Sequence, residues 1–246
     1  MSEIPAARPR IVGHRGAAAL APENTLASFR RAVADGAQLL ECDVHLSRDG
    51  HVVIMHDETI DRTAHVASPL RTGAIADLTR AELETVLLGA DGDGEPVPFL
   101  DQLLEETTVP LFIEVKAAAA AAAVAAQLES LPGDAPGRAS TVITFHAAAA
   151  ADIRRERPDT PVSYLVDVID EAALARAAEL GAVGIGPWVQ GLSLHAARAV
   201  HEAGLELNPW TVNEAPQLDV ALACGADTIT TDDPAWVARE LDARGL

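Results

Sequence analysis

The 246-residue sequence predicts an α/β fold, a (β/α)8 TIM barrel with a small insertion after the second barrel strand. Three observations predict it. Eight short apolar segments recur along the chain and mostly alternate with helical stretches. Most of these segments are nearly continuously apolar, as strands covered on both faces are. The length suits such a barrel, which runs to roughly 250 residues as one domain. An open doubly wound sheet is the alternative, but no Gly-x-Gly-x-x-Gly fingerprint follows the first strand. The expected organisation is one domain over 1–246, with the insertion at about 57–100.

The elements follow in order. Strands are expected at 10–13, 38–44, 111–116 and 140–145, then at 162–166, 182–186, 206–211 and 227–230. Gly36, Gly181, Gly204 and Gly225 each close a helical stretch just before a strand, as C-terminal glycines do. Asp49-Gly50 is a hairpin signal, so His51–His56 should return beside the second strand. In the insertion, Thr79 and Glu82 form a capping box for one helix. The alanine tracts at 117–126 and 147–151 read as helix starts, because alanine is the best helix former. Gly89–Gly94 and Pro132–Gly137 are the most pliable stretches, and both are too short to divide the chain.

The formal charge of −19 makes the protein a poor partner for nucleic acid or an anionic membrane. A phosphate ligand would need a local basic site against that field. Only one lysine, Lys116, stands beside 17 arginines. Cys42 and Cys224 form no Cys-x-x-Cys pattern, which argues against zinc and a disulfide framework. No apolar signal core opens the sequence, and no apolar run is long enough to span a membrane. The expectation is a cytoplasmic protein, monomeric or homodimeric.

Barrel chemistry sits where strands end at the C-terminal face. There the first strand ends in His14-Arg15. Residues two apart share a strand face, so Glu41 and Asp43 point together into the mouth, and so do Glu114 and Lys116. The hairpin strand ends in His56-Asp57. Three carboxylates with water suit a hard divalent cation, Mg²⁺ or Ca²⁺. Ion pairs with Arg15 and Lys116 would account for any one of the carboxylates, but less well for three at inward positions. His14 and His56 are candidate proton carriers, since histidine titrates near neutrality. Arg15 and Lys116 supply fixed positive charge for a phosphoryl group. Together these groups suggest cleavage at a phosphate ester. His45 follows Asp43 by two and could support the same mouth. His51, His65, His146, His195 and His201 read as solvated or packed.

These residues occur within a longer series: His14-Arg15-Gly16, Pro22-Glu23-Asn24-Thr25, Glu41-Cys42-Asp43-Val44, Asp49-Gly50, His56-Asp57, Arg62-Thr63 and Glu114-Val115-Lys116. Trp210-Thr211-Val212-Asn213 and Thr231-Asp232-Asp233-Pro234 complete it. The series resembles the glycerophosphodiester phosphodiesterases, from about residue 10 to 235. That resemblance implies a (β/α)8 fold with a small inserted subdomain, and hydrolysis of glycerophosphodiesters to glycerol 3-phosphate and an alcohol. It implies Glu41, Asp43 and Glu114 as ligands of one divalent cation, His14 and His56 as the acid/base pair, and Arg15 and Lys116 as phosphate binders. Trp210 would line the pocket, and Asn24, His45 and Asp57 would support it. The sequence departs from the family where Arg62-Thr63-Ala64-His65 runs into Val-Ala-Ser-Pro-Leu-Arg-Thr-Gly instead of a glycine-rich turn. Cys42 replaces a larger aliphatic residue there and should face away from the site.

Two other functions compete. A lysophospholipase D-like enzyme would favour an exposed apolar rim, which an aromatic content of 3% does not suggest. A non-catalytic phosphate-binding barrel would have lost a histidine or carboxylate, and none is missing.

Overall fold

In chain order the elements are β1 (Arg10–Gly13), α1 (Leu26–Ala34), β2 (Leu39–Leu46), β3 (Val52–Ile54), α2 (Arg80–Leu83), β4 (Leu87–Leu88), β5 (Glu95–Pro96) and α3 (Leu100–Glu106). There follow β6 (Leu111–Val115), α4 (Ala121–Ser130), β7 (Thr141–Thr144), α5 (Ala147–Glu156), β8 (Val162–Val166) and α6 (Glu171–Glu179). The chain ends with β9 (Gly184–Pro187), α7 (Leu194–Glu202), β10 (Glu206–Leu207), α8 (Ala215–Ala223), β11 (Thr228–Thr231) and α9 (Pro234–Ala243). The computed structural model describes residues 8–90, 92 and 94–246. Asp91 and Asp93 of the pliable Gly89–Gly94 stretch, and residues 1–7 of the N-terminal segment, lie outside the described residues.

Eight strands form a nearly closed parallel barrel in the order β10-β9-β8-β7-β6-β2-β1-β11. The last gap, between β10 and β11, is bridged by Asp227 N donating to Leu207 O (2.9 Å) and Val212 N to Thr230 O (2.8 Å). A buried side-chain bond from Thr228 Oγ1 to Asn208 Oδ1 (2.9 Å) joins the same two strands. β10 is shorter than the expected 206–211. Asn208 N and Trp210 N still donate to Ile185 O and Pro187 O (both 3.0 Å), up to a Trp188–Trp210 bridge, whereas Pro209 between them faces β11 and has no N–H to give it. Other strand ends shift by one or two residues, within the usual latitude of such boundaries.

Helices cover the barrel by burying one stripe each. Phe29 and Ala32 of α1, Leu100 and Leu103 of α3, and Val124 and Leu128 of α4 pack against the outward side chains of β2 and β6, including Leu40, Cys42 and Ile113. Each large aliphatic side chain so buried contributes about 1.5–3 kcal/mol. Thr25, Asp170, Ser193 and Asp233 cap α1, α6, α7 and α9 through their side chains. Within the barrel, Val12, Leu39, Phe112, Ile143 and Leu165 form a separate apolar plug, with Trp210 packed on it.

β3 runs antiparallel to the end of β2, pairing Ile54 with Val44. The segment from β3 to Phe99 then builds a core of its own from Val53, Met55, Ile60, Ile75, Leu83, Val86, Leu88, Val97 and Phe99. The Thr79–Glu82 capping box forms as expected around the single-turn α2. This segment brings His56 and Arg62 over the barrel mouth.

Candidate active site

The loop after β1 sets the geometry of the mouth. Arg15 and Asn24 both adopt the left-handed backbone region, with φ of 50° and 56°. Gly16 follows at φ 87°, where a Cβ would stand 2.4 Å from Ser28 Oγ, so only glycine fits. The fold-back is tied by Asn24 N donating to Arg15 O (3.0 Å) and Ser28 Oγ donating to the same carbonyl (2.9 Å). Arg15 N then points at β2 and donates to Glu41 Oε2 (2.8 Å).

Glu41 and Asp43 face inward from β2 beside Glu114 of β6, whose backbone pairs with Asp43. One oxygen from each of the three carboxylates lies within 4.8 Å of the others, an arrangement able to hold a metal ion. The three are not equivalent. Asp43 is fully paired: Oδ1 meets Lys116 Nζ at 2.9 Å, while Oδ2 accepts from Asn24 Nδ2 at 2.8 Å and stands 3.2 Å from Arg15 Nε. Glu114 Oε1 accepts from Lys116 Nζ at 2.7 Å. Glu41 Oε1 is buried and has no hydrogen-bond partner. A buried carboxylate oxygen without a donor calls for a proton or a cation.

The electrostatics agree. Burial, then the charge on Asp43, pushes the Glu41 carboxyl up to about 8, with a further push from Glu114. Burial and Asp43 likewise raise Glu114. Burial also works against ionisation of Asp43, but Lys116, Arg15 and His56 outweigh it and hold that carboxyl far below its usual range. Burial works against the Lys116 charge too, yet Asp43 and Glu114 raise its pKa. The expected ion pairs and the expected metal cluster therefore coexist: Asp43 is the paired carboxylate, and Glu41 is the one left over.

The two histidines are held separately. His14 Nδ1 lies 2.6 Å from Asp232 Oδ1, and Asp232 Oδ2 accepts from Asn213 Nδ2 at 2.6 Å. Burial lowers the His14 pKa, but the Asp232 bond and the nearby Glu41 charge override it, so the net shift is upward. His56 Nδ1 lies 2.7 Å from Asp57 Oδ1. Arg62 donates to Asp57 Oδ2 (2.6 Å) and to Glu23 Oε1 (2.7 Å), and Glu23 Oε1 in turn accepts from Arg15 (3.0 Å). Hydrogen bonds from Arg62 draw Asp57 down to about 2. His45 sits behind this pair with Nε2 3.1 Å from the His56 carbonyl, and burial lowers its pKa.

His14, Arg15, Glu41, His56, Glu114, Lys116 and Trp210 line one cavity of about 170 Å³. Asp43 and Asn24 lie beneath its wall, and His45 and Asp57 touch it only through His56. Trp210 is fixed by its Nε1 bond to Gly186 O (2.8 Å) and stands edge-on to Phe145, with ring centres 5.6 Å apart. His51, His65, His146, His195 and His201 do not line the cavity. Sequence reasoning gave Asp232, Asn213 and Glu23 no role of their own. Their only signal was membership of the family-like segments at 22–25, 210–213 and 231–234.

A family model described as the glycerophosphoryl diester phosphodiesterase family matches residues 14–236. The chain is 31% identical to the "Probable glycerophosphodiester phosphodiesterase 1" of Mycobacterium tuberculosis, over 96% of this chain and 94% of that protein. The fold matches an Oleispira antarctica phosphodiesterase solved in complex with the product sn-glycerol-3-phosphate, at a TM-score of 0.86, 26% identity and coverage of 95% and 97% of the two chains. It also matches a glycerophosphodiester phosphodiesterase from Agrobacterium tumefaciens, at a TM-score of 0.79, 26% identity and coverage of 94% and 100%.

Proposed function

The chain belongs to the glycerophosphoryl diester phosphodiesterase family and is an enzyme of that hydrolase class, and we propose that it splits glycerophosphodiesters into sn-glycerol 3-phosphate and an alcohol by paired histidine catalysis at a single divalent cation. The observation that carries this reading is the pair of histidines, each held by its own aspartate, on one cavity with the carboxylate triad. The orphaned Glu41 Oε1 and the close approach of the three carboxylates fit Mg²⁺ or Ca²⁺, held by Glu41, Asp43 and Glu114. When bound, such a cation polarises the phosphoryl group and eases deprotonation of a coordinated hydroxyl.

The rest is done by the chain's own side chains. Arg15 and Lys116 bind the phosphoryl oxygens and fix the phosphorus against the cavity wall. With Nδ1 bonded to Asp232, His14 presents Nε2 as the base and takes the proton of a glycerol hydroxyl. That oxygen attacks phosphorus, the bond to the alcohol breaks, and His56 Nε2 protonates the departing oxygen. Water then opens the cyclic phosphate with the two histidines in exchanged roles. Trp210 and Phe145 wall the glycerol side and exclude bulk water. Cys42 and Cys224 are buried and unpaired, in keeping with a cytoplasmic setting, and among the described residues no helix is long and apolar enough to cross a membrane.

The test is glycerol 3-phosphate release from glycerophosphocholine and glycerophosphoethanolamine, with Mg²⁺, with Ca²⁺ and with chelator, beside His56→Ala. Release that needs a cation and disappears in the variant supports the reading. Folded protein that releases nothing under any condition overturns it. Phe145, which is 38% exposed, leads to the 41%-exposed Trp188 through the Trp188–Trp210 bridge. This apolar strip at the mouth supports a second substrate class, lysophospholipids. Choline release from lysophosphatidylcholine, which leaves a lysophosphatidic acid rather than glycerol 3-phosphate, distinguishes the two.

A further inference from the structure

The cavity has two unlike ends. Its upper end carries the histidines, cations and carboxylates. Its floor, on the β8–β11 side, carries Ser163, Asn208 and Thr230. Ser163 is 1% exposed, and its hydroxyl has no hydrogen-bond partner. No part of the mechanism uses it. A buried hydroxyl without a partner costs free energy, so it calls for a ligand or a water. Its neighbours are also uncommitted. Asn208 Oδ1 is taken by Thr228 Oγ1, which leaves the Nδ2 donors free. Thr230 Oγ1 makes no hydrogen bond among the described residues.

The backbone makes this floor on purpose. The inward positions of β9 beside Ser163 and Asn208 are Gly184 and Gly186. A Cβ at Gly184 would stand 2.7 Å from Asn208 Nδ2, and one at Gly186 would stand 2.7 Å from a Leu165 methyl. Two missing side chains therefore open the space into which Asn208 turns. The ladder places the floor relative to the reaction centre. Glu114 pairs with Ile143, and Ile143 pairs with Ser163. Ser163 thus faces the cavity two strand spacings, roughly 10 Å of backbone, from the carboxylate triad. A three-carbon phosphate ester held at the triad and Lys116 would extend its far end toward this floor.

We propose that Ser163, with Asn208 and Thr230, binds the terminal hydroxymethyl group of the glycerol moiety and selects glycerol esters over otherwise identical esters that end in a methyl group. This rests on the reading above that the glycerol moiety occupies the cavity. Serine both donates and accepts, as a primary alcohol does, and the floor's amide and hydroxyls complete the set. A site built around a substrate hydroxyl rejects the analogue that lacks it, because its own polar groups are then left unpaired.

The test compares sn-glycerol 3-phosphate with propane-1,2-diol 1-phosphate of the same stereochemistry. Calorimetric binding in Mg²⁺ and kcat/KM on the matching phosphocholine diesters are measured for the natural protein and for Ser163→Ala. The expected result is a preference of roughly 10-fold to 100-fold for the glycerol compound. It should fall to within about threefold in the variant, mostly through KM. Melting of the ligand-free variant should be unchanged, since an unpartnered hydroxyl is lost. Equal binding of the two compounds by the natural protein overturns the proposal. So does a preference that survives Ser163→Ala, or a lower melting temperature with the preference intact, which would assign the hydroxyl to the fold. Preference in binding without turnover of any diester sinks the proposed reaction and leaves the floor standing. Turnover without preference does the reverse.

Discussion

Stripping the cation should leave a proton behind, and the structure says how much of one. Glu41 ordinarily titrates at 4.5 and is pushed up to about 8 by burial and by Asp43. At pH 7 such a group is roughly 90% protonated. Binding a divalent cation requires the carboxylate form, so loading at pH 7 should release about 0.9 proton, falling to about 0.1 at pH 9. The apparent association constant should then rise close to tenfold per pH unit below pH 8 and level off above pH 9. The same shift acts on stability. A raised carboxyl pKa in the fold means that the folded chain holds a proton the unfolded chain has lost. The metal-free protein is therefore favoured below pH 4.5 and loses that contribution as pH rises through 8, on the order of 4–5 kcal/mol for a shift of this size. Calorimetry of Mg²⁺ binding to chelator-treated protein, in buffers of contrasting ionisation enthalpy, counts the protons. Melting with chelator from pH 5 to pH 8 reads the stability, and Glu41→Gln should flatten the slope. No buffer dependence at pH 7, or a metal-free melting temperature that climbs toward pH 8, would refute the reasoning.

Three further outcomes follow from the supporting groups. Asp232→Asn removes the charge that raises the His14 pKa and leaves one acceptor oxygen for two partners, His14 Nδ1 and Asn213 Nδ2. kcat/KM should fall by roughly 10²–10⁴, and the acidic limb of the pH–rate profile should move to lower pH. Arg62→Ala breaks a half-exposed bridge between Asp57 and Glu23, so stability should change by no more than about 1 kcal/mol. Activity should drop further than that, because the partners it releases are those of His56 and Arg15; an unaffected kcat would show the bridge to be idle. Asn24→Ala deletes the Nδ2 donor to buried Asp43 and places alanine at φ 56°. It should cost about 2–4 kcal/mol of unfolding free energy by denaturant titration and weaken cation affinity in the same protein.

The barrel was legible because its strands are apolar runs bounded by glycine-closed helices. The inward pairs Glu41/Asp43 and Glu114/Lys116 were legible because strand alternation is strict. What could not be read was distance across the closure. His14 and Asp232 are 218 residues apart and meet only because β11 pairs with β1. Glu23 and Arg62 meet because the loop after β1 folds back through two left-handed residues, a turn that neither periodicity nor propensity encodes. The strand expected over 206–211 is regular only at 206–207 for a local reason: Pro209 has no N–H to give the β11 side, although Asn208 and Trp210 still donate to β9. The polar floor at Ser163 was invisible for another. A serine within an apolar strand reads as an ordinary small residue until the glycines of β9 show that nothing fills the space opposite it.

The charge balance of the site explains how a protein of net charge −19 can bind a phosphodiester at all. With Glu41 protonated, Asp43 and Glu114 are balanced by Arg15 and Lys116, and these five groups around the metal-free triad sum to zero. They then offer an anion nothing to set against the surrounding field. Loading a divalent cation expels the Glu41 proton and leaves these groups and the metal at +1, since three carboxylates now face two side-chain cations and the metal. A phosphodiester carries −1 and would return the site to neutrality in a low-dielectric cavity, where such compensation counts most. Cation and substrate should therefore bind with positive coupling. By linkage the diester must raise cation affinity by the same factor as the cation raises diester affinity. Titrating Ca²⁺ into the His56→Ala protein, which is expected to be inactive, with and without saturating glycerophosphocholine, measures that factor directly. A value of one would mean that Arg15 and Lys116 hold the phosphate unaided, and that the carboxylate triad is not what makes the mouth receptive to an anion.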